Sequence, residues 1–357
     1  MALTKVTSGV RTLGTGEVAT ANMATDPTNA SNLASGTVPT ARIGAFQTIT
    51  LDGTAEGSPA EGDIWYDSGK YYLGTSQSFA GTWSSGGNLG TARNFLAGAG
   101  TQSAGLCMGG STGSDSNVTE EYDGASWSSG GNLATARRYL AGCGTQTAGL
   151  CMGGTTGSLS NVTEEYDGSA WSSGGNLGTA RYGLAGAGIQ SAGLCMAGGV
   201  PDSNVTEEYD GSSWSSGGNL ATARNKPAGA GTQSAGLCMG GSASDVFSNV
   251  TEEYDGSTWS AGGNLGTARE GSAGAGTQSA GLCTGGGGPL DSTEEYDGTA
   301  WSAGGNLATA RSALAGAGTQ SAGLSMGGYA AAVSNVTEEY DAGTGSYDEL
   351  FSPSQGL

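Results

Sequence analysis

Six cysteines are the strongest nucleophiles of this chain, and no histidine accompanies them. Ser325 replaces cysteine in the sixth copy of a repeated phrase, A-G-L-C-M-G-G, whose other copies carry Cys107, Cys151, Cys195, Cys238 and Cys283. Without histidine the chain lacks the usual general base at neutral pH and the commonest transition-metal ligand. Equivalent points on adjacent repeats should lie too far apart for a disulfide. We therefore predict that these thiols, and Cys143, are small buried residues, and that the chain is not an enzyme.

Paired glutamates recur in a second phrase, N-V-T-E-E-Y-D-G. In a strand, Val118, Glu120 and Tyr122 share one face because successive side chains alternate. A carboxylate between two apolar residues, repeated with one arginine per copy, predicts a structural ion pair or a hydrogen-bonded carboxylate. The alternative is Ca²⁺ held by some of these carboxylates. No other cofactor and no metal-ligand set is predicted.

The elements that must position these residues are short strands. Each repeat has four segments of strand length separated by Gly-, Ser-, Asn- or Asp-rich breaks, which we call strands a to d. A period near 44 residues with four strands indicates a β-propeller blade. The repeat is marked by a tryptophan that opens W-S-[SA]-G-G-N-L-[GA]-T-A-R, at Trp83, Trp127, Trp171, Trp214, Trp259 and Trp301.

These residues resemble the kelch repeat, which has a Gly-Gly, a Tyr-Asp, a Trp and an Arg in this order. In one copy they are Gly109-Gly110, Tyr122-Asp123, Trp127 and Arg137. The resemblance covers about residues 79–347 and implies an all-β, kelch-like propeller. Each strand type occurs six times, but the Trp83 strand precedes the first strand a, and no Trp strand follows the last strand c. We therefore predict six blades, closed 1+3 by the N-terminal Trp83 strand, which leaves no open edge.

Composition excludes several classes of function. The 70 glycines, few large aliphatic residues and net charge of −20 would alone indicate disorder, but the ordered repeat overrides that prediction. The acidic surface disfavours nucleic-acid binding. No apolar run approaches the ~20 residues of a membrane span, and no secretory signal is visible.

The six copies differ from one another mainly in two places, the b–c loop and the two residues after the repeated arginine. In a four-stranded meander both places emerge on the same side of the propeller, so the variation is predicted to lie on one face. Diversity on a fixed scaffold is typical of a recognition surface, although drift of exposed loops is an alternative. The predicted ligand-binding residues are Phe95, Arg138, Tyr139, Tyr182, Lys226, Phe247, Tyr329, Asp115, Asp202 and Asp245.

The first part of the chain differs from the repeats. Residues 1–46 are Thr-, Ala-, Ser- and Asn-rich and are expected to become ordered by association with copies of themselves or with a partner. L-A-S-G-T-V-P-T-A-R-I at 33–43 resembles the shaft and attachment segments of bacteriophage tail fibres. We predict an attachment and oligomerisation segment at 1–46, a small hairpin connector at 47–78, the propeller at 79–347 and a C-terminal tail at 348–357.

The leading hypothesis is a virion adhesion protein of the tail-fibre type, made in the host cytoplasm. Its N-terminal segment would join other virion proteins, as an oligomer for which the fibre resemblance implies a trimer. Its propeller face would bind a host-surface glycan or protein, without nucleic-acid binding or membrane insertion. The alternatives are a structural or decoration protein of the virion with no receptor, and a glycan-active hydrolase with a carboxylate pair roughly 5–9 Å apart on the variable face.

Overall fold

The computed structural model describes residues 64–67, 70–73, 81–199, 201–343 and 348–351. The chain divides into two compact units, Ala80–Gly343 and the segments that flank it. The predicted attachment segment at 1–46 lies outside the described residues.

The larger unit consists of six antiparallel four-stranded sheets, each with strand order a-b-c-d. In blades 1 to 6, strand a spans Ala97–Gly100, Ala141–Thr145, Ala185–Ile189, Ala228–Gly231, Ala273–Thr277 and Ala315–Gly318. Strand b spans Gly105–Met108, Ala148–Met152, Ala192–Met196, Gly236–Met239, Ala280–Thr284 and Gly323–Met326. Strand c spans Thr119–Tyr122, Thr163–Tyr166, Thr206–Tyr209, Thr251–Tyr254, Thr293–Tyr296 and Thr337–Asp341. Strand d spans Trp127–Ser129, Trp171–Ser173, Trp214–Ser216, Trp259–Ala261, Trp301–Ala303 and Thr82–Ser85.

The ring is closed by the strand at the N-terminal end of the propeller, as predicted. Thr82–Ser85 is the fourth strand of blade 6 and pairs antiparallel with Thr337–Asp341, with Trp83 opposite Tyr340. In the other five blades the equivalent tryptophan lies opposite the equivalent tyrosine. The closing sheet therefore uses the same cross-strand pair as the sheets formed by consecutive strands.

Strand a consists of alanine and glycine because six sheets converge on the axis there. A Cβ placed on Gly98 would lie 2.5 Å from the carbonyl oxygen of Gly316 in the neighbouring blade, well inside van der Waals contact. The same approach recurs in every blade, at 2.6–3.0 Å for the equivalent glycines. Only glycine lets neighbouring backbones approach this closely.

Strand b supplies the large apolar side chains that fill the space between blades. Leu324 and Met326 of blade 6 pack in one cluster with Cys107 and Tyr122 of blade 1. A Cβ on Gly105 would lie 2.6 Å from Leu324 Cδ2, so the leucine occupies the space left by the glycine. Large side chains of one blade thus cover the small face of the next, as the alternation in strand b predicts.

One b–c loop contains a hairpin of its own. Ser242–Ala243 pairs with Val246–Phe247 in blade 4, and the two turn residues, Ser244 and Asp245, have φ of 51° and 62°. Positive φ at both central residues is typical of the tight turn whose twist matches a two-residue hairpin. This loop therefore projects as an ordered element.

The flanking unit contains a three-stranded antiparallel sheet. Ile64–Asp67 pairs with Lys70–Leu73, and Lys70–Leu73 pairs with Asp348–Phe351. The segment predicted as a connector thus contributes two strands, and the segment predicted as a tail contributes one. Within the described residues no helix is long and apolar enough to cross a membrane.

Candidate functional site

One buried arginine–glutamate pair lies in every blade, as the repeated carboxylate and arginine predict. In blade 1, Arg93 Nη2 donates to Glu120 Oε1 at 2.8 Å, and both side chains are buried. Arg93 Nη1 also donates to the carbonyl oxygens of Gly109 and Val118. The other pairs are Arg137–Glu164, Arg181–Glu207, Arg224–Glu252, Arg269–Glu294 and Arg311–Glu338.

The second oxygen of this carboxylate also has a donor within the protein. Glu120 Oε2 accepts the backbone N–H of Gly90 at 2.6 Å. A cation at this position would have to replace both the arginine and the backbone donor. Each pair links the segment that enters a blade to that blade's strand c, and this role is structural.

The second glutamate of the motif joins adjacent blades. Tyr166 of blade 2 donates its hydroxyl to Glu121 of blade 1 at 2.5 Å, and Trp171 Nε1 donates to Thr119 Oγ1 at 2.9 Å. Gln146 Nε2 donates to the carbonyl oxygens of Gly105 and Tyr122. Blade 1 makes the same three kinds of contact with blade 6, so the closing interface matches the others.

The prediction that the cysteines are small buried residues is confirmed. All six are free thiols with buried side chains. Burial raises the pKa of the Cys107 thiol to about 11, and Arg93 Nη2 lies 3.2 Å from its sulfur. Ser325 accepts the same contact from Arg311 in blade 6, which explains why serine can replace cysteine there. Buried thiols with raised pKa are unreactive.

The b–c loop and the two residues after the repeated arginine, where the copies differ most, lie side by side in each blade. In blade 1, Asn94 and Ser111 exchange both backbone hydrogen bonds, at 3.0 and 2.8 Å. The residue after the arginine is thereby fixed beside the b–c loop, and backbone hydrogen bonds join the equivalent positions in the other five blades. We call this side the variable face. The nearly invariant a–b and c–d turns lie at the opposite ends of the strands, on the constant face.

Six equivalent residues form a closed ring on the variable face around the axis. Each N–H donates to the carbonyl oxygen of the equivalent residue in the preceding blade, with N···O distances of 2.6–2.9 Å. All six have φ between 50° and 62°, the left-handed region that favours glycine. Two are glycine and four carry side chains, at a cost of about 1–2 kcal/mol each. This mouth ring consists of Phe95, Tyr139, Gly183, Lys226, Gly271 and Ala313.

Three predicted binding residues form an aromatic arc over blades 1 to 3. The rings of Phe95 and Tyr139 stack with centroids 3.9 Å apart, and Tyr139 meets Tyr182 edge-on at 5.3 Å. All three side chains are half-buried. Burial raises the pKa of Tyr139. The sequence indicated each ring singly, and the fold brings them into contact.

Two cations of the variable face are paired with carboxylates. Arg138 Nη1 lies 3.1 Å from Asp115 Oδ1, and Lys226 Nζ lies 2.9 Å from Glu270 Oε1. Burial lowers the pKa of Lys226, but the hydrogen bond and charge of Glu270 outweigh it and the pKa is raised. A carboxylate thus balances each of the two cations.

Asp202 holds the blade 4 hairpin in place. Its two oxygens accept the side-chain amide of Asn225 at 2.6 Å and the backbone N–H of Ser244 at 2.7 Å. Phe247, on the second hairpin strand, is 43% exposed. Asp245 is an exposed turn residue. These predicted residues lie on the variable face but not in the mouth ring.

Tyr329 is also separate from the mouth ring. It follows the Gly-Gly of blade 6, exchanges backbone hydrogen bonds with Ser312 and is 41% exposed.

Glu270 was not among the predicted binding residues, although it pairs with Lys226 and accepts a hydrogen bond from Ser242 at 2.6 Å. Its position in the variable pair after Arg269 was the only signal for it in the sequence.

The mouth ring surrounds the opening of a central cavity of about 130 Å³. Below the ring, the walls are the first alanine and glycine of each strand a and the residue before them, which is Leu96, Leu140, Leu184, Pro227, Ser272 or Leu314. Such a cavity is smaller than the ~300–1,000 Å³ of pockets that enclose drug-sized ligands. It admits a small group or one end of a longer ligand. Among the described residues no cluster of three or more Cys, Asp or Glu side chains could hold a metal ion.

No protein-family model and no curated protein matches this chain. Among solved structures, one described as "Structure of YjhT" is similar, with a TM-score of 0.59 and 12% sequence identity. The match covers 71% of this chain and 95% of that chain. At this identity the similarity shows the fold alone, a β-propeller.

Proposed function

We propose that this protein is a non-enzymatic adhesion protein of a virion, of the phage tail-fibre type, whose variable face binds a host-surface glycan or protein. The observation that carries the proposal is the concentration of sequence differences on one face of an otherwise repeated scaffold. The mouth ring adds to it, since strained backbone positions that carry side chains cluster at functional sites. The fibre-like sequence of residues 1–46 supports attachment to the particle, as an oligomer for which we propose a trimer.

Three carboxylates of the variable face are engaged within the protein, which favours binding over hydrolysis. Asp115 pairs with Arg138, Glu270 pairs with Lys226, and Asp202 accepts two hydrogen bonds. A glycosidase requires two carboxylates facing one substrate bond, one of them free to give a proton. Each of these three groups instead fixes a neighbouring element.

The test blocks one face at a time in the full chain. Because the native cysteines are buried, a cysteine introduced at an exposed serine can be labelled selectively with a polyethylene glycol maleimide. Ser114→Cys places the label on the variable face of blade 1, and Ser103→Cys places it on the constant face of the same blade. We expect only the label at position 114 to reduce binding to bacterial cells.

Equal loss of binding with both labels, or loss with the constant-face label alone, would contradict recognition by the variable face.

Deleting residues 1–46 tests the proposal that this segment attaches the protein to the particle. The shortened chain should still bind cells but no longer join the particle. Its continued incorporation into virions would show that attachment lies elsewhere.

A further inference from the structure

We propose that the mouth of the central cavity is a binding site for an uncharged sugar unit of a glycan. The site consists of the aromatic arc (Phe95, Tyr139 and Tyr182), the flanking ion pairs and the open part of the mouth ring. This inference rests on the proposed function, because it names the ligand class of the variable face. A protein ligand is the alternative outcome of the test.

The aromatic arc offers apolar ring surface at the mouth, and two of its three rings, Phe95 and Tyr139, stand at positions where the backbone disfavours any side chain. Phe95 and Tyr139 have φ of 53° and 55°, whereas Gly183 and Gly271 occupy the same position in two other blades. The backbone therefore accepts glycine here, and the fold does not need the rings. Aromatic faces pack against the C–H groups of a sugar ring while neighbouring polar groups reach its hydroxyls.

Space for the ligand lies next to Phe95. On one side Phe95 stacks on Tyr139. On the other side the next residue of the mouth ring is Ala313, which is 8% exposed, and the one after it is Gly271, which has no side chain. Among the described residues Phe95 has no second aromatic partner. At the mouth-ring positions of blades 5 and 6 no large side chain is present, and the proposed sugar unit would enter there beside Phe95.

The charges around the mouth favour an uncharged ligand. Arg138 and Lys226 are balanced by Asp115 and Glu270, and the side chains of these pairs remain 21–38% exposed. Each pair thus presents donors and acceptors together, which suits hydroxyl groups. The chain carries a net charge of −20, so an anionic sugar would be repelled on approach.

The exposed apolar side chains of the variable face do not form a protein-docking patch. Leu159 lies in a loop of blade 2, Val246 and Phe247 lie in the blade 4 hairpin, and Tyr329 lies in blade 6. A stable protein interface buries about 800 Å² on each partner, with a contiguous apolar core. Scattered single residues do not supply such a core, whereas a small polar-rimmed cavity beside aromatic rings suits a sugar.

The experiment measures binding of the full chain to neutral polysaccharides (dextran, mannan and galactan) and to anionic ones (alginate and heparin) by affinity electrophoresis. We expect binding to at least one neutral polymer and none to the anionic polymers. Phe95→Ala should weaken that binding about tenfold, the loss expected for one aromatic contact. Phe95→Tyr, which keeps the ring, should retain it.

Two further variants separate the site from the rest of the face. Ala313→Tyr fills the open part of the mouth at a φ that Tyr139 already adopts, and it should abolish binding while the fold is retained. Leu159→Ala removes an exposed apolar side chain outside the mouth and should leave binding unchanged. The unfolding midpoint of each variant, compared with that of the parent chain, shows that the fold is intact.

Failure of this inference can be distinguished from failure of the proposed function. The sugar site is overturned if no neutral polymer binds, if an anionic polymer binds more tightly, or if Phe95→Ala has no effect. Cell binding that is blocked by the label at position 114 and by Phe247→Asp, but not by Phe95→Ala, would indicate a protein ligand and leave the adhesion proposal standing. Cell binding insensitive to the label at position 114 would overturn both.

Discussion

The interior of the propeller and its variable face follow opposite rules. Inside, every blade repeats the buried arginine–glutamate pair, and a residue change such as Ser325 in place of cysteine keeps the contact with the arginine. At the mouth ring, Phe95, Lys226 and Gly271 occupy one position in different blades. The difference lies in which atoms form the structure. Side chains make the interior contacts, whereas backbone N–H and carbonyl groups make the ring, so its side chains are free to vary.

High pH should disrupt the interior most broadly, because it acts on all six blades at once. Burial, and then the hydrogen bond to a neighbouring blade's glutamate, raises the pKa of Tyr122 and Tyr166 to about 12 from the ordinary value of 10.0. Since the folded-state pKa is the higher one, this stabilisation is complete below about pH 10 and is lost as the pH rises towards about 12. The midpoint of urea unfolding should fall steeply across that range.

Absorbance of tyrosinate provides the control for this prediction. Ionisation of the buried tyrosines should coincide with unfolding. Ionisation of all six while the fold persists would contradict their role between the blades.

Substitutions at two consecutive arginines compare the interior directly with the variable face. Arg137 is fully buried and pairs with Glu164, whereas the Arg138 side chain is 38% exposed and pairs with Asp115. Arg137→Ala leaves a buried carboxylate without its cation and should cost about 3–5 kcal/mol of unfolding free energy. Arg138→Ala should cost less than about 1 kcal/mol. Similar losses by chemical denaturation would remove the distinction between interior and face.

Substitutions at two glycines, one in a strand a near the axis and one in a b–c loop, extend the comparison of the interior with the variable face. Gly98→Ala places a Cβ 2.5 Å from the carbonyl oxygen of Gly316, and relief requires the backbone to move. A loss of about 1–3 kcal/mol is expected. Gly288 lies in a b–c loop with no atom within 4 Å of a Cβ, so Gly288→Ala should change stability by less than about 0.5 kcal/mol. A neutral Gly98→Ala would show that the strands a are not closely packed.

The substitution with the smallest expected effect should stabilise the fold, whereas those above destabilise it. Ala313 has φ of 52° in the mouth ring, so Ala313→Gly should stabilise the fold by about 0.5 kcal/mol as relief of strain exceeds the entropy cost of glycine. Ala315→Gly, two residues later in strand a, should destabilise it instead. Both alanines are buried, but Ala315 is not among the residues with positive φ, so its replacement relieves no strain. Thermal unfolding of both variants measures the difference, and a loss of stability in Ala313→Gly would argue against strain in the ring.

The repeat made most of the fold predictable. Counting strand types gave six blades and assigned Trp83 to the last one. The glutamate between two apolar residues and the repeated arginine predicted a structural ion pair or a hydrogen-bonded carboxylate, and the structure has the buried pair. The mouth ring was not predictable, because Phe95, Tyr139 and Lys226 carry no sign of positive φ and only Gly183 and Gly271 hint at it. The hairpin at 242–247 also escaped prediction. Its turn is held by Asp202, 42 residues from Ser244, and such a contact exists only once blades 3 and 4 are adjacent.

The central claim is that the interior gives this protein its stability and the side chains of the mouth ring give it recognition. The most direct test replaces Phe95, Tyr139 and Lys226 together by glycine in the full chain and measures both unfolding free energy and binding to cells that the parent chain recognises. Relief of strain should offset the lost contacts, so stability should stay within about 1–2 kcal/mol of the parent while binding is abolished. A triple variant that unfolds, or one that binds like the parent, would contradict the claim.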